Sequence, residues 1–437
     1  MKRKVICILC AVLLVAGMAG CSGDKKEAET EQTDTSGTDT GENAKEAENT
    51  EEKEAPNSDE DEFPGTQATC TEPGPSGFVA TPKYSAFYAP AGFGSSGEGE
   101  VQIYDSNDIY TRLFEMDGPV SGLMGTVDDI YFVLNDNLYA YSGGEDAEML
   151  ISDVAGFSRF VGAIDGTIYY TYVNNPDDPT ISETRVVAYN TGSKEKKEYA
   201  IESAWGNVDA LITGKHLFYQ GGRTDPSATP LYELNLESGE SVKLEDFISG
   251  MAPDEEGRLY FTSYETYDSM QGEMTLKCYD TLTEEKTEVF TTASDLGSMV
   301  TVDQGGAFFE RNWNDINSLT RLDLESGELE NINLGGEHYY IPDCMGNTFY
   351  CGAYRVDRTG KEPVITGTTV YTYTKNLETE SGDVLSPLEV RYNLNHGQVL
   401  GVGNGIAFVY QKEFRGDRTY ETYGVGPATK YDDQLFY

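Results

Sequence analysis

From about Pro75 to Tyr437 the hydrophobic positions fall in short runs of aromatic and β-branched residues, divided by Gly, Asp, Asn and Ser. Apolar residues spaced at three and four, the mark of an amphipathic helix, are hard to find. Many short antiparallel strands are therefore expected. One phrase recurs as a turn followed by an aromatic strand: "SAFYAP" at Phe87, "DDIYFVL" at Tyr131, "DGTIYYTY" at Tyr169, "GKHLFYQ" at Phe218, "EGRLYFTS" at Tyr260, "GGAFFER" at Phe308, "GNTFYCG" at Phe349 and "NGIAFVYQ" at Phe408. After each comes a second strand-like phrase, from "VQIYDSND" to "LTRLDLESGE" and "RTYETYG".

Anchors taken just after that second phrase are Asp105, Ser142, Asn190, Asn235, Asp280, Asp323, Asn376 and Gly424, at steps of 37, 48, 45, 45, 43, 53 and 48 residues. A unit of about 45 residues with four strand-like runs is the size of one propeller blade. The expected fold is all-β: a β-propeller of seven or eight four-stranded blades over residues 76–437. Strand alternation puts Tyr131, Tyr260 and their equivalents at interfaces between blades, as core residues. The "IYFVLND…LYAY" and "IYYTY…VVAYN" units resemble YWTD-type propeller repeats. They resemble more closely the tyrosine-rich propellers of bacterial surface lipoproteins. That resemblance implies the fold and is almost silent on activity, because propellers host many unrelated functions.

The first residues, "MKRKVICILCAVLLVAGMAGC", carry Lys2, Arg3 and Lys4 before a short apolar core that ends in Met18-Ala19-Gly20-Cys21. This reads as a secretory signal over 1–20, too short to span a membrane. Its ending resembles the bacterial lipobox, with Met18 where leucine is usual, and implies diacylation (palmitate) at Cys21. Two acyl chains suffice for stable anchoring. Residues 21–75 read as the lipidated cysteine and a disordered acidic tether. Between Ser22 and Phe63 there are 16 acidic and 4 basic residues and almost no apolar ones, too few to offset ordering entropy. The expected location is extracytoplasmic, lipid-anchored to the bacterial cell membrane.

The whole chain of 437 residues has a formal charge of −44, which excludes nucleic acid as a partner. Cys70, Cys278, Cys344 and Cys351 remain after the signal and Cys21. A turn at Met345-Gly346 would set Cys351 opposite Tyr340, and argues against a Cys344–Cys351 bridge. Free thiols are expected. With three histidines and no C-x-x-C spacing after the signal, no metal site and no cofactor are expected. Asp105–Asp108 and Asn174–Thr180 offer oxygen ligands without the spacing of a calcium loop.

Candidate chemistry sits in segments read as long loops between second and third strands: Val173–Arg185, Gly221–Pro230, Ser263–Met274, Glu310–Ser318, Gly352–Thr369 and Lys412–Thr419. Of the 12 arginines in the folded region, Arg223, Arg311, Arg355, Arg358, Arg415 and Arg418 lie in these segments. With Trp313, Tyr264 and Tyr267 as stacking platforms, they form a candidate face for an anionic or carbohydrate ligand. The alternative is that each arginine pairs with a nearby acid such as Asp225, Asp315, Asp357 or Asp417 and binds nothing. No nucleophile elbow, zinc-protease helix or phosphate loop is present, so no catalytic residue is assigned. The expected function is a binding module for a protein or glycan ligand, acting as a monomer. The alternative is a surface glycan hydrolase or lyase that uses loop carboxylates.

Overall fold

A computed structural model describes residues 68–71, 76–90, 99–174, 183–201, 208–221, 229–254, 256–265, 273–294, 296–303, 305–313, 316–332, 337–341, 349–360, 364–374, 384–390, 397–415 and 418–430. All belong to one compact unit, residues 61–437. The signal, Cys21, Arg223, Tyr267 and Cys344 lie outside the described residues.

The fold is an all-β propeller. Among the described residues eight antiparallel blades lie within residues 77–117, 120–151, 157–200, 210–245, 248–292, 298–332, 337–390 and 397–430. In blades 1 to 7 four consecutive strands pair in order. The first strands lie innermost: those of blades 1 and 2, 2 and 3, 3 and 4, 5 and 6, and 7 and 8 are neighbours. The first strand of blade 8 returns to that of blade 1 and closes the ring. The turns joining first to second and third to fourth strands share one end of the ring, here the turn end. The connections from second to third strands share the other, the hairpin end.

Local sequence explains each blade. The second strand is the aromatic phrase, and its alternating side chains fill the spaces between blades. Each hydrophobic cluster spans neighbouring blades. Tyr131 packs with Phe160, Ile168 and Tyr170 of blade 3, and Tyr260 with Met299, Ala307 and Phe309 of blade 6, as alternation predicts. Tight turns use residues that tolerate a left-handed backbone: Asp165-Gly166 at φ 48° and 73°, and Asn404-Gly405 at φ 49° and 74°, the I′ pattern that matches strand twist.

The first strands carry a feature that the period did not reveal. A one-residue bulge interrupts pairing just before Gly122, Gly162, Gly250 and Gly401, and between Met299 and Thr301 in blade 6. A Cβ on Gly122 would lie 2.8 Å from Phe157, and one on Gly401 2.7 Å from Phe78, each in the following blade. The missing side chain is what lets the next blade approach.

Four expectations are corrected. The folded unit starts before residue 76: Ala68–Cys70, read as part of the tether, is a strand paired to the first strand of blade 2. A three-residue run is too short to show a period. Blade 8 has three strands of its own, and Gly424 lies inside its third strand, Arg418–Lys430, rather than at its end. The tail of that strand pairs instead with the fourth strand of blade 7, Leu388 opposite Lys430. The supposed loops at Glu310–Ser318, Gly352–Thr369 and Lys412–Thr419 are mostly strand. Their length between second and third strands suggested loops, but Thr, Tyr, Phe and Trp favour extended strand. Tyr264 is 6% exposed, packed with Met274 and Leu276, so its ring is core rather than a stacking platform. By contrast Cys351 stands opposite Tyr340 as expected, and Cys278 is a buried free thiol.

Candidate functional site

The candidate arginines of blades 6 to 8 sit on hairpins at one end of the propeller. Arg311 and Trp313 belong to the second strand of blade 6, with Arg311 opposite Ser318 and Trp313 opposite Ile316. Arg355 of blade 7 is opposite Gly367, and Arg358 is exposed just beyond that strand. Arg415 and Arg418 face each other across the tip of blade 8. The topology thus brings five of the six candidate arginines, with Trp313, to the hairpin end of three adjacent blades. Arg185, which ends another of the segments, is an ion-paired arginine: it bridges Glu183 at 3.2 Å and Glu198 at 3.3 Å.

Glu310, three pairs below the tip pair of the blade 6 hairpin, is opposite Leu319 and Ser298. Burial pushes its carboxyl above the ordinary range. Alternation gave the signal that was missed: Glu310 shares a strand face with buried Phe308.

Two concavities flank the axis and the seam. In the central channel the N-terminal strand leaves a cavity of about 150 Å³ against Arg159 and Phe160 of blade 3, Leu211 and Ile212 of blade 4, and Pro253 of blade 5. The Arg159 guanidinium is mostly covered and bridges Asp209 at 3.1 Å. At the turn end, a groove of about 600 Å³ lies between blades 8 and 1, lined by Pro82, Asn107, Ile109, Tyr110 and Asn404. Tyr110 is 80% exposed there. The acids of "DSND" beside it serve their own backbone. Asp105 accepts from the Asn107 amide at 2.8 Å, and Asp108 accepts from the Tyr110 amide at 3.0 Å and the Thr111 hydroxyl at 2.6 Å. Those bonds hold the Asp108 carboxyl below its usual range.

Among the described residues one carboxylate cluster gathers close enough to hold a cation: Glu100, Glu115 and Asp117, on the third and fourth strands of blade 1. Burial and then the Glu115 and Asp117 charges push the Glu100 carboxyl up, against a hydrogen bond from Gln102. Arg112 bridges Glu115 at 2.7 Å.

No protein-family model matches the chain, and no curated protein matches it. Solved structures do. The chain is similar to an oligogalacturonate lyase in complex with manganese, with 11% identity and a TM-score of 0.41 over 60% of this chain and 77% of that one. It is similar to the β-propeller domain of the Trilobed protease from Pyrococcus furiosus, described as having an open velcro topology, with 16% identity and a TM-score of 0.39 over 63% and 83%. It is similar to TolB from Acinetobacter baumannii, with 12% identity and a TM-score of 0.31 over 80% of each chain. At these identities the likeness concerns the fold, and the neighbours include enzymes as well as TolB.

Proposed function

We propose that this protein is a membrane-anchored extracytoplasmic lipoprotein whose propeller binds a protein or glycan ligand at the hairpin end of blades 6 to 8. The observation that carries the reading is the convergence of Arg311, Trp313, Arg355, Arg415 and Arg418 on neighbouring hairpins. In a chain of charge −44, a local group of guanidinium-bearing residues is where an acidic or hydroxyl-rich ligand gains most. A paired β-strand scaffold lowers the backbone ordering cost at binding. The Met18–Cys21 sequence supports the anchor.

The test immobilises residues 22–437 and challenges them with purified cell-wall and plant glycans and with solubilised envelope proteins, beside the Arg311→Ala/Arg355→Ala/Arg415→Ala variant. A ligand retained by the parent and reduced at least about tenfold by the variant, a loss of roughly 1.4 kcal/mol, supports the binding module. Equal retention by both removes the hairpin site. Consumption of a glycan with new reducing ends would transfer the reading to a hydrolase or lyase, with Glu310 the first carboxylate to replace. Metabolic labelling with a palmitate analogue, lost on Cys21→Ala, tests the anchor.

A further inference from the structure

The groove of about 600 Å³ between blades 8 and 1 lies at the turn end of the ring, away from Arg311, Arg355 and Arg415. Its volume falls within the roughly 300–1,000 Å³ of small-molecule sites. Three turns wall it: 81–83 and 105–108 of blade 1, and 404–405 of blade 8. Hydrogen bonds between these turns fix its shape. The Ser106 hydroxyl donates to the Pro82 carbonyl at 2.7 Å, and the Ser106 amide to the Lys83 carbonyl at 3.1 Å. Across the seam the Asn404 side-chain amide donates to the Thr81 carbonyl at 2.7 Å. The walls are set before a ligand arrives, which lowers the cost of binding.

Tyr110 lines this groove and is 80% exposed, the most exposed aromatic among the described side chains. A lone exposed ring is ordinary on a protein surface, but this one adjoins a preformed groove with polar side chains on its walls. Asn107 is exposed, and its Nδ2 stands 3.5 Å from the Ser106 hydroxyl, the outer limit of a hydrogen bond, so that amide is available to a ligand. Asn404 commits one amide hydrogen to Thr81 and keeps the other.

The charges narrow the ligand. Neither lysine nor arginine is among the described residues that line the groove, so nothing there neutralises an anion. Asp108, held ionised by the Tyr110 amide and the Thr111 hydroxyl, repels one. A cation would meet a single tyrosine and a carboxylate already engaged, less than an aromatic cage supplies. A neutral ligand fits: an apolar face for the ring, and hydroxyls that donate and accept as side-chain amides do. A pyranose with equatorial hydroxyls has both, with C–H bonds on its faces and hydroxyls around its edge.

We propose that this groove is a second binding site, for a neutral glycan of equatorially substituted pyranoses, with one sugar stacked on Tyr110 and its hydroxyls held by Asn107 and Asn404. It is independent of the hairpin site.

The test is calorimetric titration of the full-length chain, in a detergent without a sugar headgroup. The probe is cellohexaose, with hexagalacturonate and the glucosamine hexamer as charged counterparts. Cellohexaose should bind with a Kd at or below about 1 mM. Tyr110→Ala should weaken it at least about tenfold and Asn107→Ala about threefold, while Tyr110→Phe, which keeps the ring, should stay within about twofold. Both side chains are exposed, so the variants should unfold at the parent's temperature. The Arg311→Ala/Arg355→Ala/Arg415→Ala variant should bind cellohexaose as the parent does. No binding of cellohexaose, or tighter binding of either charged hexamer, overturns the proposal. So does binding that survives Tyr110→Ala; if that binding is lost in the arginine variant instead, the sugar sits at the hairpin end and only the hairpin reading stands. Capture of an envelope protein through Tyr110, with no sugar bound, would make the groove a protein interface and would also overturn the glycan site.

Discussion

The seam between blades 4 and 5 and the seam between blades 8 and 1 do the same job with different chemistry. Between blades 4 and 5 the apolar cluster around Phe218 and Phe261 is bordered by charge. Glu233 of blade 4 accepts from the Tyr279 hydroxyl of blade 5 at 2.9 Å and faces His216 Nδ1. Glu245 of blade 4 bridges Lys277 at 2.8 Å and Lys286 at 3.2 Å, both of blade 5. Between blades 8 and 1 the contact is aromatic. Phe408 has ring centroids 4.9 Å from Phe87 and 6.0 Å from Phe78. The Asn404 side-chain amide adds one hydrogen bond to the Thr81 carbonyl, 2.7 Å long and 323 residues apart in sequence. Among the described residues no strand from one terminus completes a blade at the other. Closure of the ring therefore relies on packing, while an internal seam, already joined by the chain, carries titratable groups.

Removing the closing aromatic should have the largest effect. Phe408 is fully buried, and Phe408→Ala should cost about 3–5 kcal/mol in urea unfolding. If it costs less than about 1 kcal/mol, the closing seam is not where stability lies. In the polar seam, Lys277→Ala leaves Glu245 largely covered with only exposed Lys286 beside it, and should cost roughly 1.5–3 kcal/mol. The Glu245→Leu/Lys277→Met double variant should recover much of this, since apolar replacement of both partners is often tolerated.

Gly401→Ala and Gly250→Ala sharpen the comparison with a single methyl. The first would meet Phe78 at 2.7 Å and should cost about 1–3 kcal/mol. The second would meet Met299 at 3.5 Å, an ordinary contact, and should cost clearly less. Equal costs would show that the bulges, rather than the approach of the next blade, require glycine.

The seams should also part with pH. Burial raises the Glu233 carboxyl, but hydrogen bonds from His216 and Tyr279 outweigh it and hold it below its usual value of 4.5. Glu245 is lowered in the same way by its lysines, against burial. A carboxyl lowered by folding stabilises above the unfolded value and loses that contribution as pH falls through its folded value. Amide exchange in His216–Gln220 and Leu231–Leu234 should therefore quicken below about pH 4.5, relative to Gly77–Ala80 and Ile406–Arg415. Parallel changes in both seams would refute the assignment. The smallest effect has the opposite sign. The raised carboxyl of Glu100 favours the folded state when protonated, so Glu100→Gln should stabilise at pH 7 by up to about 0.5 kcal/mol. The gain should disappear once the pH is low enough to protonate Glu100 in the unfolded chain as well.

What the sequence determined is what repeats locally. Blade size, the aromatic second strands, the Asp-Gly and Asn-Gly turns and the burial of Tyr131 and Tyr260 follow from period-two alternation and turn chemistry, which act within about ten residues of chain. The placement of Arg311, Arg355 and Arg415 at one end was also legible, because a fixed period puts equivalent connections on the same side. The tertiary structure decided the rest. The N-terminal strand and the closing seam bring together residues far apart in sequence: Cys70 opposite Met124, and Phe408 against Phe87. The repeated phrases include neither Gly122 nor Gly401. Only the approach of Phe157 and Phe78 shows why a side chain is excluded there. Tyr264 looked like a surface aromatic in a charged segment, and it is buried in one cluster with Met274 and Leu276 of the paired strand. Alternation fixes which face of a strand is apolar, whereas the partner for that face is set by close packing in three dimensions.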